Sequence, residues 1–333
     1  SCLVGSEMCI RDRNAGGQFS GEIADKLTSG VIDIAATRSE FAALKQDGSV
    51  VTWGTWAEKS KSVADKLSSG VIKIYSNNTD FAALKSDGSV VAWPWNNSDF
   101  DRVKAQLQGG VREIYSNTES FAAVKQDGSV VTWGIGDWGG NSDAVDDRIS
   151  DNVNAIVSTN SAFAALKNDG SVVTWGLQAS GGDSASVSNR LASDVVSIKA
   201  SVGAFAALKA DGSVVTWGDA ERGGDSSSVK QLLQGGVIDI AANDWAFAAL
   251  KQDGSIVTWG RPDRGGDSSS IANQLTNVVS IADPGVNDQL VKTDSGVTVW
   301  SNEEALRISG RVVAMDPDSS DSVTVSLTGQ PIS

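Results

Sequence analysis

The chain has 333 residues, with 41 acidic side chains against 27 Lys and Arg, a net charge of −14 and a pI near 4.4. That balance excludes the concentrated cationic face that nucleic acid or an anionic membrane surface demands. It has no His, and its two cysteines, Cys2 and Cys9, both lie at the extreme N-terminus, so the rest of the chain has no imidazole base, thiolate nucleophile, disulfide or Cys/His zinc site.

Residues 1–13, SCLVGSEMCIRDR, match no later segment. They resemble a translated sequencing adaptor, and are set aside as non-native. From residue 14 to residue 300 the chain repeats itself. FAALKQDGSVVTWG begins at Phe41 and returns from Phe81, Phe121, Phe163, Phe205 and Phe247, then blurs to QLVKTDSGVTVWS at 289–301. In six copies Phe stands seven residues after an Ile and twelve before a Trp, and in the seventh Asp288 holds that place. The series runs from Ile34 with Trp53 to Ile281 with Trp300, which makes seven copies, and only the stretch from Trp to the next Ile changes length, from 21 to 23 residues. Insertions are thus confined to one connector.

In each copy, runs such as VIDIAA, FAALKQ and SVVTW read as three short strands. Asp-Gly between the second and third supplies a hairpin turn with positive φ. The connector, for example GGDSSSVKQLLQGG at 223–236, opens on Ser capping candidates and predicts a helix of one or two turns. Its Asp and Ser oxygens lack the ligand density of a calcium loop, so no metal and no cofactor is expected. A three-stranded sheet of this size must cover its apolar faces with neighbouring copies. The expected fold is therefore all-β with short connector helices: a seven-bladed propeller of three-stranded blades. An eight-bladed ring and an open stack remain alternatives. Alanines in strands one and two suit a crowded ring centre, and Trp a wider rim. Residues 301–333, with Met315 and Ser322 in the Ile and Phe positions, read as a degenerate half copy.

SGVIDIAA, ALKQDGSVVTWG and the Gly-Gly connector resemble the repeat of the regulator of chromosome condensation family and of beta-lactamase inhibitor protein II. The resemblance implies a seven-bladed propeller with few strands per blade that binds a protein partner. The family's His-Ser before the second strand is replaced here by pairs such as Glu40-Phe41 and Ala246-Phe247.

Copies differ at the four residues before Phe and at those after Trp-Gly. With strands running up, down and up, both segments open on the face opposite the Asp-Gly turns. The Trp outside the repeat series, Trp56, Trp95, Trp138 and Trp245, fall in these loops, with Phe100 nearby. In the inhibitor family aromatic residues of the loop before Phe face the partner, which implies that role for Trp245 with Asn243 and Asp244. Trp is enriched in binding hot spots, so these seven residues form the predicted partner-binding set. Tyr75 and Tyr115 read as core variants, and the Lys before each Asp-Gly as a solvated strand position. No paired carboxylates or nucleophile motif recur, so no catalytic residue is expected. The reading is a non-enzymatic, macromolecule-binding propeller, in a secreted or cell-surface setting, with a protein partner. A structural spacer of a larger surface protein and a glycan-binding module are the alternatives.

Overall fold

The computed structural model describes residues 21–55, 57–93 and 97–281. The adaptor-like segment, the seventh copy beyond Ile281, the half copy, Trp56 and Trp95 lie outside the described residues. Strand one covers Val31–Ala36, Val71–Ser76, Val111–Ser116, Val153–Ser158, Val195–Ala200 and Val237–Ala242. Strand two covers Glu40–Lys45, Phe81–Lys85, Ser120–Lys125, Ala162–Lys167, Ala204–Lys209 and Ala246–Lys251. Strand three covers Val50–Gly54, Val90–Ala92, Val130–Gly134, Val172–Gly176, Val214–Gly218 and Ile256–Gly260.

They form six three-stranded antiparallel sheets in the order one, two, three, one per copy. This is the all-β, propeller-like repeat of three-stranded blades that the period predicts. Contacts divide the chain after Ile198, inside strand one of the fifth copy. The unit before that point holds the first four copies; the unit after it holds strands two and three of the fifth copy, and the sixth.

Within each unit the apolar residues sort by the two-residue period of strand two. Phe81 and Ala83 face back toward Ala42 and Leu44 of the previous copy in one buried cluster. Ala82 and Leu84 face forward, into the cluster built around Phe121 and Trp133. Copies three and four, and copies five and six, repeat the arrangement. The alanines therefore divide between the two faces, where their small size admits the next copy's aromatics.

Phe and Trp of each copy stack, with centroids 5.3 Å apart for Phe41 and Trp53 and 5.4 Å for Phe163 and Trp175. The register sets this directly, because it places Phe opposite Trp on strands two and three. Such a pair adds about 0.5–1.5 kcal/mol to the stabilisation from burying its rings.

At the hairpin, Gly48 donates its N–H to Lys45 O at 2.9 Å and has φ +78°. The positive φ falls on Gly alone, as in a turn closed by a glycine bulge. Val71 N–H in turn donates to Gly48 O at 3.0 Å, and a Cβ on Gly48 would lie 2.7 Å from Gly70 N. Each turn is thus also the seat of the next copy's first strand. The repeated Lys ties strand two to the connector before it. Lys45, Lys85, Lys167 and Lys251 donate Nζ to the carbonyls of Lys26, Lys66, Arg148 and Leu232 in the preceding connectors.

The connectors are mostly 3-10 turns such as Ala57–Leu67 and Ala185–Arg190, with an α-helix at Asn97–Val103. In GGDSSS it is Asp225 that accepts the N–H of Ser227, at 2.8 Å, while Ser226 bonds Thr216 of strand three at 2.9 Å. The predicted Ser cap is therefore an Asp cap plus a tie to the outer strand. Equivalent ties join Thr174 to Ser184 and Thr258 to Ser268. They fold the connector over an edge that would otherwise be open to pairing.

Candidate partner-binding face

The two variable segments meet. Four residues before each Phe stands Thr37, Asn77, Asn117, Thr159, Ser201 or Asn243. Its side-chain oxygen accepts backbone N–H groups two and three residues on; for Asn243 these are Trp245 and Ala246, each at 2.8 Å. Four of these side chains also reach the turn after Trp-Gly. Asn117 donates to Trp138 O, Thr159 to Ser180 O at 3.0 Å, Ser201 to Arg222 O at 2.8 Å and Asn243 to Arg264 O at 3.0 Å.

Successive loops are also tied to one another by backbone alone. Arg38 N–H donates to Asn78 O at 2.9 Å, Asn78 N–H to Thr118 O at 3.0 Å and Thr118 N–H to Asn160 O at 3.2 Å, and in the second unit Val202 N–H donates to Asp244 O at 3.3 Å. Together the two devices use only main-chain atoms of the two residues after the turn former, such as Asp244 and Trp245, so those side chains are left to differ.

The predicted residues separate accordingly. Trp138 in the first unit and Trp245 in the second are each half-buried in their own loops, and Asp244 is exposed beside Trp245. Asn243 is a turn former whose amide is spent on the loop. Phe100 is a correction: it is 7 % exposed and packs edge-on against Trp133 at 5.8 Å, so it belongs to the core between the second and third copies. The apolar side of the Asn97–Val103 helix puts it there.

Two arginines unnoticed in the sequence accompany Trp245. Arg222, from the connector before its copy, lies 4.8 Å from the indole centroid, and Arg261, from the connector after it, lies 5.0 Å away. Asp219 holds Arg222 Nε at 3.2 Å and Asp263 holds Arg261 Nε at 2.9 Å. Gly203 makes room, because a Cβ there would stand 3.0 Å from Arg222 Cδ. Aligning the copies on Gly-Gly would have revealed the position, since Trp138, Ser180, Arg222 and Arg264 each precede it.

In the first two copies the residue before Phe is Glu40 or Asp80 instead of Ser or Ala. Burial holds Lys59 below the usual lysine range, and the two carboxylates oppose that shift. Among the described residues no group of three His, Cys, Asp or Glu is placed to hold a metal ion, and no helix is long and apolar enough to cross a membrane.

No family model and no curated protein matches the chain. Among solved structures it is similar to Prp20p of Saccharomyces cerevisiae, at 18% identity over 69% of this chain and 72% of that one, with a TM-score of 0.39; that structure's description concerns binding to Gsp1p and histones. It is similar to yeast RCC1 (Prp20) with Kap60 bound, at 17% identity over 74% of each chain and a TM-score of 0.40. It is also similar to the ectodomain of the Physcomitrella patens receptor kinase CR4, at 14% identity over 69% of this chain and 61% of that one, with a TM-score of 0.36.

Proposed function

We propose that this protein is a non-enzymatic binding protein that recognises a protein partner through its variable loops, which carry Trp138 in the first unit and Asp244 and Trp245 in the second. The observation that carries the reading is the division of labour in the loops. Backbone ladders and one polar turn residue per copy hold the loops in place, which leaves the neighbouring side chains to vary without cost to the fold. Half-exposed Trp at such positions matches the usual composition of interface anchors. Trp56 and Trp95 belong to the same proposed set by their place in the repeat.

Glycan binding is the weaker reading at Trp245, because a sugar needs a free indole face and two guanidinium groups already lie within stacking distance. The test is affinity capture with the wild type and with the Trp138→Ala/Trp245→Ala variant, each captured protein then being titrated pairwise by calorimetry. A partner whose affinity falls about 100-fold, equivalent to two anchors of roughly 1.4 kcal/mol each, supports the reading. Equal binding by both proteins, or retention of glycans alone on a glycan array, overturns it.

A further inference from the structure

A second site lies away from the loop face, on the outer side of the second copy. Between the connector that follows the first copy and the connector that follows the second, a cavity of about 410 Å³ opens over strand three, Val90–Ala92. Its lining is mixed: Val63, Val90, Val91, Ala92 and Phe100 give an apolar strip of floor among the polar Ser62, Ser89 and Gln108. Its rim is cationic: Lys66 comes from one connector, Lys104 from the other and Lys85 from the end of strand two.

Lys85 gives one N–H to Lys66 O at 3.0 Å. Among the described residues a single carboxylate lines the cavity, Asp101, which stands 3.7 Å from Lys104. Three ammonium groups thus face one carboxylate, on a chain whose net charge is −14.

The equivalent cavity over strand three of the third copy, about 330 Å³, has the same build and an even balance of charge. Its Lys125 and Arg102 face Asp143 and Asp146. Arg102 is also committed there, donating to Thr132 O at 3.1 Å and Gly140 O at 3.0 Å. The fold alone therefore does not require the excess of positive charge over Val90–Ala92.

We propose that the cavity of the second copy binds an amphipathic organic anion, its apolar body on the Val63, Val90–Ala92 and Phe100 floor and its carboxylate or sulfonate head between Lys66, Lys85 and Lys104. The volume is that of a small-molecule pocket. Lysine stems extend the apolar wall while their ammonium groups stay in water, and that arrangement selects such a ligand over a neutral one or a cation.

The probe is 1-anilinonaphthalene-8-sulfonate, followed by its fluorescence and competed with dodecanoate below its micelle concentration. Saturable binding is expected, displaced by dodecanoate and not by dodecyltrimethylammonium. Lys66→Gln with Lys104→Gln should weaken it about tenfold or more, the equivalent of 1.4 kcal/mol. Lys61→Gln, on the same connector but paired with Glu58 and outside the cavity, should leave it unchanged. Circular dichroism would verify that these exposed substitutions preserve the fold. Absence of saturable binding, equal affinity in the double variant, or displacement by the cationic amphiphile would overturn the assignment.

Discussion

The turn glycines have two reasons to be glycine, and the two can be tested together. Gly128 has φ +80°, and a Cβ on it would stand 2.5 Å from Asn152 N in the next copy. Gly128→Ala should cost about 1–3 kcal/mol from backbone strain alone, and more as the fourth copy is pushed away. Gly109→Ala, which would meet only Asp87 O at 3.7 Å, should stay within about 0.5 kcal/mol; denaturant unfolding of both variants checks this. The turn aspartates supply a pH dependence. The Ser hydroxyl two residues on, then the N–H of the same Ser, hold Asp47, Asp87, Asp127, Asp169, Asp211 and Asp253 below the usual carboxylate range. A folded value below the unfolded one adds stability that is complete above the unfolded pKa, near 3.9, and is lost as pH falls through the folded value. Ser129→Ala, which frees Asp127, should therefore destabilise at neutral pH and converge on the wild type in acid. At this scale the sequence was only half legible. Asp-Gly announced a hairpin, but nothing local disclosed that the glycine also seats a strand of the following copy, because that contact lies over 20 residues away.

At the scale of elements, the loops and connectors behave as paired parts. Asn243→Ala removes the acceptor of two backbone N–H groups and the donor to Arg264 O. It should cost about 1–2 kcal/mol, whereas Asp244→Ala should be near neutral for stability. Thermal unfolding of the two variants separates the turn former from the proposed contact residue. Thr174→Val removes the ties to Gly182 O and Ser184 Oγ. About 1 kcal/mol is expected, with faster amide exchange across Ala185–Arg190. The strands themselves were readable, since a period of two, β-branched residues and Asp-Gly all agree. The connectors were less so: 3-10 turns lack the 3.6-residue signature that identifies a helix. Phe100 was misplaced for another reason: its connector holds the α-helix Asn97–Val103, which turns that ring inward to Trp133. Of the arginines beside Trp245, Arg222 is legible only by aligning the copies on Gly-Gly and Arg261 not at all, because each comes from a different connector.

For the whole molecule, the charge of −14 is a self-repulsion that salt relieves. Melting temperature at neutral pH should rise between about 0.01 and 0.1 M salt, over which the screening length shrinks from ~30 to ~10 Å. Inside each unit every sheet packs on the next through the same Phe, Trp and Ala pattern, so stability should sum over copies and their junctions. The N–H to carbonyl chain running from loop to loop has a further consequence. It is written entirely in main-chain atoms, so unequal recombination between near-identical copies can exchange one loop's side chains for another's and leave every rung intact. A lineage carrying such a gene can trial new specificities by reshuffling its own text, at little risk to folding.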